Sequence, residues 1–197
     1  VVGPIGSFPS QKGEAVFVDR ARFTLLFPEL ILIPAGEGGA AFAYPSEYRI
    51  HQVGGYGEVV RIVEKDEAPT AITSRQRARH LEEASSSAPD MPLPELERET
   101  AFPETWPFFD ALLSDQGGNL YARRVEAEPV VEGGILLDVF TSEGIYVLEL
   151  VSPVDNIQAI RNGYLYARRF SSEMSCDQLV RYRIANWDLV WGTGGPP

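Results

Sequence analysis

Gly118-Asn119-Leu120-Tyr121-Ala122-Arg123-Arg124 recurs as Gly163-Tyr164-Leu165-Tyr166-Ala167-Arg168-Arg169. Tyr121 and Tyr166 are about 45 residues apart, within the roughly 40–50 residue periods of propeller blades and helical arrays. The residues between the copies alternate in polarity and are rich in β-branched types, which favours strands over helices. A diverged third copy, Gly39-Ala40-Ala41-Phe42-Ala43-Tyr44, stands upstream. The chain therefore predicts an all-β domain of about three propeller-like blades of antiparallel strands, forming a partial propeller or an open, barrel-like sheet.

Behind each copy come two further strand signals joined by a turn. In chain order, after the upstream copy Gly39–Tyr44 stand Tyr48-Arg49-Ile50-His51-Gln52-Val53, the turn Gly54-Gly55-Tyr56-Gly57, and Glu58-Val59-Val60-Arg61-Ile62-Val63. Behind the second come Leu136-Leu137-Asp138-Val139-Phe140, the turn Thr141-Ser142-Glu143-Gly144, and Ile145-Tyr146-Val147-Leu148-Glu149-Leu150. The third has Leu179-Val180-Arg181-Tyr182-Arg183-Ile184, the turn Ala185-Asn186, and Trp187-Asp188-Leu189-Val190-Trp191. Val180, Tyr182 and Ile184 alternate with Arg181 and Arg183, the pattern of a sheet with one wetter face.

Residues 1–14 read as an N-terminal arm, 15–191 as the domain and 192–197 as a C-terminal tail. Ala15-Val16-Phe17-Val18 and Phe23-Thr24-Leu25-Leu26-Phe27 have strand composition, and residues 27–34 read as a buried strand. Gly36, Gly38 and Gly39 invite comparison with a phosphate loop. Such a loop needs a helix N-terminus behind it, and Ala40-Ala41-Phe42-Ala43-Tyr44 reads as a strand, so the glycines form a hairpin turn.

Residues 73–107 form an excursion from the repeat. A short, exposed helix is expected from Thr73 or Ser74 as N-cap through Ala84, with arginines early and Glu82-Glu83 late, opposing the helix dipole. The Pro-, Ser- and Glu-rich stretch that follows predicts a surface arm. Its apolar points Met91, Leu93, Leu96, Phe102 and Trp106, with Trp191 near the end, are the candidate partner-binding residues. The arm's points either clip back onto the domain, the reading favoured here, or dock on a neighbour.

The 197 residues are 44% hydrophobic, enough to bury a sizeable core. A net charge of −11 disfavours nucleic acid and anionic lipid as charge-driven partners. No apolar run is long enough to span a bilayer. The chain opens at Val1 without a methionine or signal segment, so either a leader has been removed or the chain is part of a longer product.

No catalytic constellation emerges. The lone Cys176 has no sequence link to His51 or His80 and reads as a structural thiol. Asp110, Asp115, Asp138, Asp155 and Asn156 sit in separate turns without the spacing of a cation loop, so they read as turn formers and solvated charges. Arg123-Arg124 and Arg168-Arg169 place one arginine on each face of a strand and pair with the abundant acids. No cofactor and no metal ligand set is expected.

Several stretches resemble bacterial six-bladed β-propellers of the NHL-like, secreted or lipoprotein type. They are Gly57 with Val59-Val60-Arg61-Ile62, Trp106-Pro107-Phe108-Phe109, Ser114-Asp115 with Gly118-Asn119-Leu120-Tyr121, and Ile160-Arg161-Asn162-Gly163-Tyr164-Leu165-Tyr166. The resemblance matches their C-terminal half and implies a periplasmic or extracellular setting. Three blades leave sheet edges that a partner would cover. The function expected is a non-enzymatic accessory or structural subunit with protein partners in a larger assembly, which includes docking on a membrane complex. Two rivals stand beside it. One is a calcium-dependent lactonase or esterase-like propeller, recognised by acidic side chains converging on one ion; the other is a soluble peptide- or glycan-binding module.

Overall fold

The computed structural model describes residues 23–36, 38–87, 91–127, 134–172 and 174–191. The arm over 1–14, the strand signal at Ala15-Val16-Phe17-Val18 and the tail over 192–197 lie outside the described residues.

In chain order the elements are β1 (Phe23–Thr24), β2 (Ile31–Ala35), β3 (Gly39–Ala43), β4 (Arg49–Val53), β5 (Val59–Glu64), α1 (Ser74–Ser87), α2 (Leu93–Glu99) and β6 (Thr100–Ala101). They continue with β7 (Phe109–Ser114), β8 (Leu120–Arg124), β9 (Ile135–Phe140), β10 (Tyr146–Ser152), β11 (Ile157–Arg161), β12 (Tyr164–Ser171), β13 (Cys176–Arg183) and α3 (Trp187–Trp191). The fold is all-β: three antiparallel meanders in which each strand pairs with its neighbour in sequence. Blade 1 is β2-β3-β4-β5, blade 2 is β7-β8-β9-β10, and blade 3 is β11-β12-β13. β2 lies beside β7 and β7 beside β11, so the first strands of the blades stand side by side as in an incomplete propeller.

The repeat copies are β3, β8 and β12, the second strand of each blade. Gly118 and Gly163 take φ of +78° and +76° at the hairpin before the strand, a conformation open to glycine without strain. Gly39 is required for a different reason. A Cβ there would lie 2.6 Å from the Val53 carbonyl oxygen and 2.8 Å from that of Ala35.

Two apolar seams hold the blades together, and strand alternation feeds both. Leu120 and Ala122 of β8 join Ala41, Ala43, Ile50 and Val63 of blade 1, while Tyr121 between them points the other way. Tyr121, Leu137 and Val139 meet Ile160 of blade 3 and Trp187. Each face of blade 2 is therefore covered by a neighbouring blade. At about 25 cal/mol per Å² of apolar surface removed from water, such paired faces dominate the stability of the array.

Several elements differ from the sequence reading. The strand expected over Phe23-Thr24-Leu25-Leu26-Phe27 is reduced to β1, because Leu26 turns the chain at a φ of +63°. The run at 27–34 is not wholly buried: Leu30 and Leu32 are 55% and 62% exposed, since β2 buries only its alternate residues. The strand expected at Trp187–Trp191 is the helix α3, entered through Asn186 at a φ of +60°. Its two indoles, four residues apart, fall on one helical face with ring centroids 5.9 Å apart.

The excursion is more ordered than its composition suggested. Thr73 caps α1 reciprocally with Gln76: its Oγ1 accepts from the Gln76 amide at 3.3 Å, and its own amide donates to Gln76 Oε1 at 2.9 Å. α1 is mostly exposed, as expected, and buries Leu81. The surface arm contains the unexpected α2, which carries a proline in its first turn, Glu95 early and Arg98 late. β6 then pairs in parallel with β1.

Candidate functional site

The residues singled out as partner contacts fall into three groups. Leu96 and Trp106 are 1% and 6% exposed and so pack within this chain, while Leu93 is exposed at 41%. Met91, Phe102 and Trp191 are half-buried. Phe102 lies under the Arg77 guanidinium at 5.8 Å, and Trp106 meets the His80 ring edge-on at 5.5 Å. Backbone hydrogen bonds from Ile72 to Glu104 and from Trp106 to Thr70 tie the arm to the segment just before α1, around an isolated bridge between Ala71 and Thr105. The structure brings Phe102 and Trp106 against α1, and it leaves Trp191 apart from them in the cleft behind blade 3.

A charged network crosses the seam between blades 1 and 2. Asp138 is wholly buried on β9, and its Oδ2 accepts from Tyr48 Oη at 2.5 Å, Lys65 Nζ at 2.9 Å and Arg124 at 3.3 Å. Arg124 also grips Glu67 with two nitrogens, at 2.6 and 2.8 Å, and Glu126 at 2.8 Å. The paired grip is the strong, planar mode of guanidinium recognition. Hydrogen bonds to Glu67, opposed by burial and aided by Glu126, hold Arg124 charged far above any physiological pH. Burial, then the neighbouring Asp138 charge, raises Tyr48, so its hydroxyl keeps its proton and donates it. At the other end of the same seam Arg61 donates to the Ser142 carbonyl and, at 3.0 Å, to Gln52. These groups pair charge with charge across the seam and act as a latch between blades, while Asp138 Oδ1 is buried with no hydrogen-bond partner among the described residues.

A second polar knot shapes the hairpin before β8. Asp115 accepts from the amides of Gly117 and Asn119 at 2.9 and 3.0 Å, from Asn119 Nδ2 at 2.8 Å and from Tyr121 Oη at 2.8 Å. Asn119 Oδ1 in turn accepts from the Ser142 amide at 2.9 Å, joining the hairpin to the next turn of the blade. Asp115 thus serves the turn, as read from the sequence, and Asn119 and Tyr121 of the repeat join it there.

The far face of blade 3 is of another kind. Strand pairing puts Tyr164, Tyr166, Arg168 and Phe170 of β12 on one side with Arg161 of β11 and Asp177, Leu179, Arg181 and Arg183 of β13. Phe170 and Leu179 are 65% and 70% exposed. Arg181 lies over the Tyr164 ring at 4.5 Å, and Arg168 approaches Asp177 at 3.8 Å. Among the described residues, Arg161 and Arg183 have no ion-pair partner, in a chain whose net charge is −11. On the opposite side of β13 lies a cleft of about 380 Å³, walled by Leu148 and Leu150 of β10, Tyr182, Trp187 and Trp191, with Tyr121 behind.

For chemistry the arrangement offers little. Asp110 pairs with Arg123 at 2.5 Å, Asp115 serves its turn, Asp138 serves the latch, and Asp155 and Asn156 stand near blade 3. Among the described residues no group of three or more His, Cys, Asp or Glu is placed to hold a metal ion. His51 stacks on Phe42 at 4.8 Å, and burial lowers its pKa. His80 contacts Glu83 at 3.0 Å on α1. Cys176, read from the sequence as a structural thiol, is exposed at the start of β13. Among the described residues no helix is long and apolar enough to cross a membrane.

The sequence reading of Asp138 as a turn former or solvated charge is corrected: it is wholly buried and paired within β9, and an acid inside Leu136-Leu137-Asp138-Val139-Phe140 is the signal of such a buried, paired charge. Its partners Tyr48 and Lys65 carried no signal. Comparison with protein families, curated proteins and solved structures finds no match.

Proposed function

We propose that this chain is a non-enzymatic, extracytoplasmic interaction protein of the propeller type that works as an accessory or structural subunit of a larger assembly. The observation that carries the reading is the far face of blade 3, where Phe170 and Leu179 stand 65% and 70% exposed among four arginines. Large apolar side chains rimmed by charge on an open sheet face are typical of a surface that a partner covers. The resemblance to NHL-like secreted propellers supports the extracytoplasmic setting.

The test is native mass spectrometry of the chain isolated gently from both membrane and soluble fractions of its source. Recovery at fixed stoichiometry in a larger complex is expected, and that complex is lost in a variant carrying Phe170→Glu and Leu179→Glu whose thermal unfolding is unchanged. A wild-type chain recovered only as a monomer overturns the reading. A second reading, a peptide-binding module, is favoured by the cleft walled by Trp187 and Trp191.

A further inference from the structure

We infer that the outer edge of β13 takes up an extended peptide segment with alternating acidic and apolar side chains, adding a fourth strand to blade 3. The inference rests on the interaction reading and names its site and the chemistry of its partner.

The edge is defined by hydrogen bonding. Blades 1 and 2 have four strands each, whereas blade 3 has three, and among the described residues no strand pairs with the outer side of β13. Ile184 donates its amide to the Gly163 carbonyl at 2.8 Å, which sets the phase of the β12–β13 ladder. In an antiparallel ladder each residue turns its amide and carbonyl to the same side, and successive residues alternate. Tyr182 and Val180, two and four residues before Ile184, therefore face β12. Asp177, Leu179, Arg181 and Arg183 turn their backbone groups outward, ready to pair with an incoming strand.

The two sides of that edge specify the guest. On the far face, Arg181 and Arg183 stand with Arg161 and Arg168 around Tyr164 and Tyr166, opposed by Asp177 as the single acid in the register. A side chain of the guest strand directly beside Arg181 or Arg183 gains from a carboxylate and loses from a cation. On the near side, the next side chain of the guest points into the cleft of about 380 Å³ between β10 and β13. Leu148, Leu150, Tyr182, Trp187 and Trp191 line it, so apolar side chains fit there. A strand alternates its faces, so one segment satisfies both sides only when acidic and apolar residues alternate along it.

The probe is an eight-residue, end-blocked, fluorescein-labelled peptide of alternating Val and Glu, titrated against the full chain and read by fluorescence anisotropy. Two controls accompany it: a Val and Lys alternation, and a peptide of the same Val and Glu composition with the glutamates contiguous. The alternating acidic peptide is expected to bind at least about tenfold tighter than either control. Arg181→Glu combined with Arg183→Glu reverses the preference in favour of the lysine peptide.

Leu179→Pro removes one outward-facing amide and leaves the β12 side of the ladder intact, and it weakens binding at least about tenfold. Should that variant misfold, the charge-reversed one still decides. Equal binding of all three peptides, no binding of any, or an unchanged preference after charge reversal overturns the inference. A chain that is monomeric by native mass spectrometry yet binds the alternating peptide overturns the assembly reading alone. A chain held in an assembly that ignores the peptide overturns the strand inference alone.

Discussion

Tyr48 of blade 1 donates its hydroxyl proton to Asp138 of blade 2 across 2.5 Å of space and 90 residues of sequence. Asp138 is wholly buried, and Lys65 and Arg124 share the same carboxylate oxygen. Removing it leaves a buried hydroxyl and two partly buried cations short of a partner. Asp138→Ala is expected to cost about 3–5 kcal/mol, as for breaking a buried ion pair by deleting one member. Tyr48→Phe, which removes only the donor, is expected to cost about 1–3 kcal/mol. Urea unfolding of both variants measures the two costs.

Acid weakens the same latch. Burial alone would raise the Glu67 carboxyl, but hydrogen bonds from Arg124 and Lys65 outweigh it and hold the group below its ordinary value of 4.5. The folded state thus binds the proton less readily than the unfolded chain. Its contribution is complete above the unfolded value, drains as the pH falls below about 4.5, and is gone below the folded value. Expected is a urea midpoint that falls through that window in the wild-type protein. Glu67→Gln lowers the midpoint at pH 7 and flattens the decline, which titration of the two midpoints against pH checks.

Asp115 accepts four hydrogen bonds in the hairpin before β8, one of them from the buried Tyr121 hydroxyl. Asp115→Ala strands the amide of Asn119 and the phenol together and is expected to cost about 3 kcal/mol, since each buried group left unpaired costs about 1–3 kcal/mol. Against a Tyr121→Phe background the same change costs less, because one of the stranded donors is already gone. A double-mutant cycle by chemical denaturation reads the difference.

Gly163 carries two demands at once. Its φ is +76°, and a Cβ there would meet the Trp187 ring at 3.0 Å. Gly57, at a φ of +87°, has nothing within 4 Å. Gly57→Ala is expected to cost only the conformational strain, about 1–2 kcal/mol. Gly163→Ala exceeds it and shifts the emission of Trp187. Thermal unfolding monitored by tryptophan fluorescence separates the two.

The repeat was legible because its glycines and aromatic positions are local requirements of one hairpin. The three β3, β8 and β12 copies followed directly from them. Face assignment within β13 was also legible, since Val180, Tyr182 and Ile184 alternate with Arg181 and Arg183. What joined Arg181 and Arg183 to Arg161 and Arg168 was strand register, which no single strand encodes. The Trp187–Trp191 segment suits a strand by composition, yet its indoles four residues apart also suit a helical face, and Asn186 decided for the helix. In the arm, Pro94 and Glu95 ahead of Arg98 were a helix-start pattern masked by the surrounding prolines. Tyr48 and Asp138 were beyond reach because their meeting depends on how two sheets stack.

The two seams differ in what they permit. Directional bonds at Asp138, Arg124 and Arg61 fix blade 2 against blade 1 in one register, because sliding either sheet would separate charges from their partners. The seam toward blade 3 is chiefly oil against oil, crossed among the described residues by a hydrogen bond from Arg123 to the Asp155 carbonyl at 3.3 Å. Apolar burial is non-directional, whereas the hydrogen bonds of the other seam depend on distance and angle. Blade 2 is thus tied to blade 1 by directional bonds and to blade 3 chiefly by apolar contact, so compliance between blades is expected to concentrate at the seam beside β13, whose outer side has no strand partner among the described residues.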